Sequence, residues 1–295
     1  EYRAANAISG RDAEAAIGLR NRWRVSEGLT LDGSFERVHA LSRSPALLVD
    51  NEATALTAGI AYTASPRWKG TARLELRDAA RERGLLSTLG LARKLDGGWS
   101  LLGKNTFDLT QGKGSASERM RQWLQVGLAY RGPAAVGWNG LGKYELKTER
   151  QTAASGEAQT DRTAHVASTH VHWQARRGID VSGRVGAKWV REGAADIVST
   201  NAAVLVAGRI TRDLGGRWDA GVVASLLADR RGGRQWGLGG EVGYRAADNL
   251  WLSVGYNVFG YRDSDLAPAE PTARGIFIRL RFKFDENSLA GLTGE

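Results

Sequence analysis

An all-β, membrane-spanning fold is what this sequence predicts, and three observations predict it. Apolar and polar residues alternate with period two in about 16 segments spread along the whole chain. The connections between segments alternate as well, tight turns with longer polar stretches. Tryptophan and tyrosine recur beside the tight turns. Together these give a transmembrane antiparallel up-and-down β-barrel, with one face of every strand against lipid and the other against water.

The first segments set the pattern. Tyr2 to Ile8 is strand-like. In the next segment Ala15, Ile17, Leu19, Asn21, Trp23 and Val25 share one face and Gly18, Arg20, Arg22 and Arg24 the other; wound as a helix the same residues would form no apolar stripe. Trp68, Gly70, Ala72, Leu74 and Leu76 oppose Lys69, Thr71, Arg73, Glu75 and Arg77. Ile179, Val181, Gly183, Val185, Ala187 and Trp189 face away from Asp180, Ser182, Arg184 and Lys188. Trp218, Ala220, Val222, Ala224, Leu226 and Ala228 oppose a mixed face with Asp219, Ser225 and Asp229. Leu250, Leu252, Val254, Tyr256 and Val258 oppose Trp251, Ser253, Gly255 and Asn257. Ser34 to Ala40 and Leu85 to Leu95 alternate less cleanly, which points to a β-bulge in each. In Gly275 to Phe284 the apolar face is unbroken (Ile276, Ile278, Leu280, Phe282, Phe284) and the other carries Arg279, Arg281 and Lys283.

Tight connections fall at Glu27-Gly28, Ser65-Pro66-Arg67, Asp96-Gly97-Gly98, Gly132-Pro133, Arg177-Gly178, Leu214-Gly215-Gly216 and Ala247-Asp248-Asn249. The longer set comprises Arg43 to Asp50, Gln111 to Ser117, Arg150 to Thr160, Arg230 to Arg234 and Asp263 to Pro271. Short turns on one rim and longer loops on the other match a barrel with periplasmic turns and extracellular loops, which puts both ends of the chain on the periplasmic side. Trp68, Trp99, Trp138 and Trp218 follow tight turns, with Trp251 close behind its own, and Tyr62, Tyr130 and Tyr244 precede them. Such rings suit the headgroup boundary.

Composition agrees. The 295 residues suffice for one large domain, with 38 Gly, 10 Trp, 5 Pro and no Cys. Without cysteine there is no disulfide framework and no thiolate metal site. Apolar runs such as Ala202 to Ala207 are far short of the 18 or more residues a membrane helix needs. The chain starts at Glu1 with no basic and apolar leader, as expected of a processed chain or an excised domain. The net charge of +9 favours anionic surroundings such as lipid headgroups. Nucleic acid is not expected as a partner, since the cations are spread one or two at a time along strands instead of clustering. A soluble sandwich is disfavoured because arginine and lysine on nearly every inward face would be costly in a dry core, and about 16 strands enclose room for water.

Gly275, Leu280, Phe282 and Phe284 make the last segment similar to the C-terminal insertion signal of bacterial outer-membrane β-barrels, and the chain as a whole resembles that family, porin-like in character. It departs from the family pattern in that Asp285 to Glu295 follow the last aromatic. Arg274 to Glu286 also resembles barrels that end very large multidomain envelope or surface proteins. The resemblance implies a barrel over residues 1–286 with a short periplasmic tail at 287–295, in the outer membrane of a Gram-negative bacterium. It implies outer-membrane lipid and lipopolysaccharide as partners, the barrel-assembly machinery during biogenesis, and further domains ahead of Glu1 if the chain is part of a larger protein.

Catalytic groupings are sparse. His170 and His172 share a face, His165 takes the other, and no nearby carboxylate or thiol completes a metal site. Asp161 near His165 is reminiscent of a rim protease, Ser-His-Asn chemistry of the outer-membrane phospholipase type has no supporting motif, and Gly237, Gly239, Gly240 and Gly243 lack the strand-to-helix setting of a phosphate loop, reading instead as close strand packing. No enzyme activity, cofactor or metal is expected. The inward residues carry the functional clue. Arg20, Arg22, Arg24, Arg73, Arg77, Lys104, Arg121 and Lys143 are joined later in the chain by Arg184, Lys188, Arg245, Arg279, Arg281 and Lys283. They outnumber Glu75, Asp108, Glu145, Asp180, Asp219 and Glu241, so an open lumen would weakly prefer anions; paired across strands, the same charges would merely fill it. Porins carry a long constriction loop, and no connection here exceeds about a dozen residues. The leading expectation is therefore a membrane anchor or scaffold for a larger envelope protein, with a stand-alone diffusion porin as alternative and an outer-membrane protease or phospholipase a distant third.

Replacing Phe282 and Phe284 by Asp is expected to abolish membrane assembly, read as loss of the protease-resistant barrel in outer-membrane fractions; normal assembly would contradict the barrel reading.

Overall fold

The computed structural model describes residues 2–7, 10–42, 52–133, 137–155, 159–194, 197–247, 250–261, 263, 265–266 and 274–282, with side chains from 15 to 39 and, within those ranges, from 52 to 280. Sixteen strands form one sheet in sequence order. The chain's contacts divide into two units. The first, Glu1–Leu128 with Tyr144–His165 and Val190–Thr200, holds β1 (Tyr2–Ala7), β2 (Gly10–Ser26), β3 (Leu29–Ser42), β4 (Ala53–Tyr62), β5 (Trp68–Ala79), β6 (Glu82–Lys94), β7 (Trp99–Gly112) and most of β8 (Glu118–Arg131). The second, Ala129–Lys143 with Val166–Trp189 and Asn201–Glu295, holds β13 (Trp218–Asp229), β14 (Arg234–Ala247), β15 (Leu250–Phe259) and β16 (Gly275–Phe282). Residues of β9 (Trp138–Thr152), β10 (Gln159–Arg176), β11 (Ile179–Ala194) and β12 (Ile197–Gly215) contribute to both.

Register turns the period-two pattern into two continuous faces, because residues directly opposite in a ladder point the same way. In the first unit Leu19 pairs with Phe35, Leu56 with Leu76 and Leu85 with Leu109. In the second Ala224 pairs with Leu238, Val254 with Ile278 and Leu252 with Leu280. This apolar face points outward: Ile17 is 73% exposed and Ile276 78%. Such inversion of a soluble protein's burial pattern is what lipid as solvent requires. The sheet order runs from β1 to β16 without returning, so the pairing of last strand with first that closes a barrel is not part of the described sheet.

The expected bulges lie elsewhere. Ladders β3–β4, β5–β6 and β6–β7 are regular through Ser34 to Val38 and Leu85 to Lys94. One register shift falls at the edge of the first expected stretch, where Ala13 pairs with Ser42 and Glu14 with Ala40, and others fall at Arg24/Ser26, Asp213/Gly215 and Arg245/Ala247 beside tight turns and at Leu238/Gly239. The uneven patterning that suggested bulges reflects polar residues on the outer face, such as Ser87 and Arg93, and apolar Leu86 on the inner one. Two-residue connections at 27–28, 177–178 and 216–217 turn one end of the sheet. At the other end several connections are equally short, with only two residues at 80–81 and at 195–196, while 43–52 and 260–274 are long. The strands themselves extend there, β10 to 18 residues and β12 to 19, well beyond the 9–11 that cross the hydrocarbon layer.

Gly28 shows why the tight turns need glycine. It sits at φ 72° and an added Cβ would lie 2.5 Å from Ala64 Cα, while its carbonyl accepts a hydrogen bond from Thr63 N at 2.7 Å. Gly28→Ala is expected to lower stability by about 1 kcal/mol or more. Gly183→Ala, on the lipid face with nothing within 4 Å of an added Cβ, is expected to be neutral. Equal urea midpoints for the two variants in phospholipid vesicles would contradict this account.

Candidate functional site

The outer face brings the aromatics that flank the tight turns together in pairs. Tyr62 and Trp68 stack at 4.3 Å between ring centroids and Tyr130 and Trp138 at 4.2 Å, while Trp218 and Tyr244, register partners across β13 and β14, lie 4.8 Å apart. All three pairs sit at the tight-turn end, where Trp99 also opens β7 after its turn, 39% exposed. Trp251 differs: it pairs with Arg245 and lies on the polar inner face.

On the inner face of the first unit, Arg20, Arg22 and Arg24 form an exposed cationic row along β2, opposite Ser34, Asp32 and Thr30. Arg73 reaches Glu75 at 3.4 Å. Arg77 and Lys104 face the same way, each opposite a glycine, Gly84 and Gly90. Across β8 and β9, Arg121 binds Glu149 at 2.8 Å, and the buried Glu145 carboxylate accepts hydrogen bonds from Trp123 Nε1 at 2.7 Å and Gln125 Nε2 at 3.4 Å. Lys147 lies over the Trp123 ring at 5.2 Å. Lys143 precedes Glu145 by two residues on the same strand face.

The second unit concentrates its charges. Glu241 on β14 is clasped by Arg209 of β12 and by Arg279 of β16, the latter at 3.2 Å. The acid's side chain is 6% exposed and the guanidinium side chains 22% and 25%. Glycine makes this reach across whole strands feasible, since the register partners of Glu241 on β13 and β15 are Gly221 and Gly255. Below this clasp, toward the tight turns, opens a cavity of about 710 Å³ lined by His170, His172, Arg184, Arg245, Trp251 and Phe277 among others. His172 Nε2 meets Asp180 at 3.4 Å.

Above it residues 261, 263, 265 and 266 of the connection between β15 and β16 pack on the inner face. Leu266 is fully buried in a cluster with Val166, Ala203, Leu205, Leu227 and Tyr261. Asp263 Oδ1 accepts hydrogen bonds from the amides of Asp265 and Leu266 at 3.0 and 2.8 Å, a local turn that holds the segment's shape. Lys188 Nζ reaches Asp263 Oδ2 at 2.5 Å and Asp265 Oδ2 at 3.7 Å, with all three side chains nearly buried. An inward-folded connection was not expected from its length; its buried leucine and paired aspartates supply the anchoring that length alone does not reveal.

Sequence reasoning missed Arg209, Trp123, Phe277, Asp263, Asp265 and Leu266. The last three had a signal, an isolated leucine behind two alternating aspartates in an otherwise polar connection. Among the insertion-signal residues, Gly275 opens β16 and Leu280 lies on its outer face, opposite Leu252. Arg281 and Phe282 are described in backbone only, pairing with Trp251 and Leu250, and Lys283, Phe284 and the tail 287–295 lie outside the described residues. Asp161 does not assist His165: its carboxylate lies against Gly193, and His165 Nδ1 shares a 2.7 Å hydrogen bond with the Tyr144 hydroxyl. No group of three or more metal-ligating side chains occurs among the described residues.

Neither a protein-family model nor a curated protein sequence matches the chain. Solved structures do. The siderophore receptor PirA from Pseudomonas aeruginosa superposes with a TM-score of 0.57 at 9% identity, over 80% of this chain and 50% of that one. The ferric citrate transporter FecA in its unliganded form gives 0.52 at 13% identity, over 95% and 53%. The ferric yersiniabactin uptake receptor FyuA from Yersinia pestis gives 0.50 at 12%, over 84% and 51%. The fold is that of the outer-membrane β-barrels. The chain spans about half the length of these three proteins.

Removing the Glu241 charge leaves Arg209 and Arg279 facing each other at a poorly solvated site. Glu241→Gln is expected to destabilise by about 2 kcal/mol, less than the 3–5 kcal/mol of a fully buried pair because both guanidinium groups touch water. Adding Arg279→Gln to that variant is expected to restore part of the loss in the same urea titration; a wild-type midpoint for Glu241→Gln would refute the clasp.

Proposed function

We propose that this chain is an outer-membrane barrel of a Gram-negative bacterium that passes small solutes by passive diffusion, without catalysis, along a polar inner face narrowed by the β15–β16 connection. The observation that supports the reading is the clasp of Asp263 and Asp265 by Lys188 together with the burial of Leu266, which hold this part of the connection against the inner face. A membrane anchor needs only the lipid-facing belt and leaves this inward connection and the cavity beside it without a role. The exposed row Arg20, Arg22 and Arg24 supports a weak preference for anions.

Lys188→Gln leaves two carboxylates at a nearly buried site without their cation, and Leu266→Asp removes the apolar anchor, so each is expected to release the connection. Wild-type protein in planar bilayers is expected to show small conductance steps, and both variants steps at least about twofold larger. A salt gradient is expected to give a reversal potential of anion-selective sign. Absence of steps in all three proteins would refute the diffusion reading; equal steps would refute the constriction.

A further inference from the structure

We propose that the cavity on the inner face of the second unit is a binding site for a small solute in which a flat ring carries a carboxylate. The proposal deepens the diffusion reading and rests on that face being open to water. On β11 the cavity's lining residue Arg184 is two positions from Gly186, where an added Cβ would lie 3.0 Å from Leu266 Cδ2. On β12 and β13 the lining residues Arg209 and Val223 are four positions from Leu205 and Leu227, which pack on Leu266. The seated part of the connection thus lies next along these strands without lining the cavity itself, and Arg217 and Arg245 line its tight-turn end. Its volume of about 710 Å³ falls inside the range of small-molecule sites, roughly 300–1,000 Å³.

Charge selects the sign of the ligand. Of the four lining carboxylates, Glu241 is held by Arg209 and Arg279, Asp180 by His172 and Asp213 by the amide of Gly215 at 2.9 Å, while Asp219 lies against Gly243. The lining arginines outnumber them, and a guanidinium fork matches a planar carboxylate. Aromatic walls select the rest of the ligand. Trp251 stands directly opposite Arg245. Phe277 faces Gly255, whose missing side chain lets the ring lie close against the sheet, and the Arg279 guanidinium stands 5.7 Å from its centroid. With Arg279 held by Glu241, it is Arg245 beside Trp251 that lets one ligand stack its ring and pair its carboxylate together. A bare inorganic anion would leave these walls unused, and a cation would meet the arginines.

Benzoate is the probe, titrated into the full chain in detergent and followed by tryptophan fluorescence and calorimetry. Saturable binding is expected, with acetate, which lacks the ring, and benzyl alcohol, which lacks the charge, each at least about tenfold weaker. Arg245→Gln and Trp251→Leu are each expected to weaken benzoate roughly tenfold, and Arg83→Gln, in the first unit beside Asp78, to leave it unchanged. No saturable benzoate binding, equal binding of acetate or benzyl alcohol, or wild-type affinity in both cavity variants would overturn the site. Bilayer conductance separates this from the parent reading: conductance without benzoate binding removes the site alone, whereas benzoate binding without conductance upholds the site and removes diffusion.

Discussion

A backbone amide inside hydrocarbon has no water to bond to, so every such group has to be answered by a neighbouring strand. The rest of this structure follows from that requirement. Ladder pairing fixes which residues stand opposite one another, pairing makes the period-two pattern of each strand agree with the next, and the agreement yields one apolar and one polar face. Leu19 with Phe35, Leu56 with Leu76 and Val254 with Ile278 are consequences of register as much as of composition. A one-residue slip in any of these ladders would turn arginine toward lipid and leucine toward water along the whole strand, and this penalty holds the register.

The polar face is organised by a second device, glycine opposite a polar or bulky side chain. The Asp32 carboxylate lies where a Cβ on its register partner Gly59 would stand, and the same relation joins Asp219 to Gly243, Asn257 to Gly239 and Ser225 to Gly237. Phe277 over Gly255 is the aromatic version. Each glycine lets its partner's side chain lie across the neighbouring strand, close to the wall. The Arg209, Glu241 and Arg279 clasp extends this over five strands, with Gly221 and Gly255 leaving the way clear. Glycine weakens strand propensity, yet here it permits charge pairing near the sheet surface, which lowers the cost of setting many ionic groups on one face.

The architecture was legible in the sequence because lipid imposes a strict local rule. Alternation identified the face of Ile17, Arg22, Trp218, Glu241 and Arg279, and Tyr62 with Trp68, Tyr130 with Trp138 and Tyr244 with Trp218 meet as ring pairs. What alternation cannot supply is partnership between strands distant in sequence. Lys188 and Asp263 are 75 positions apart, and nothing local marks one as the other's counter-ion. The glycines of β14 read only as sites of close packing, since their function depends on which residue stands opposite. The bulges were misplaced for the converse reason: Ser87, Arg93 and Leu86 break the apolar pattern without breaking the ladder.

The inward connection illustrates how wall and insert are fitted to each other. Burying Leu266 is worth about 2 kcal/mol, a modest gain against the ordering of a long connection. The Lys188 clasp contributes only because Asp263 and Asp265 reach it inside, and they reach it only if Leu266 seats fully. Seating depends in turn on Gly186, where even a methyl group would press on the leucine at 3.0 Å. Contacts from four strands, β10 to β13, thus depend on one another, and together they hold a segment that none would hold singly.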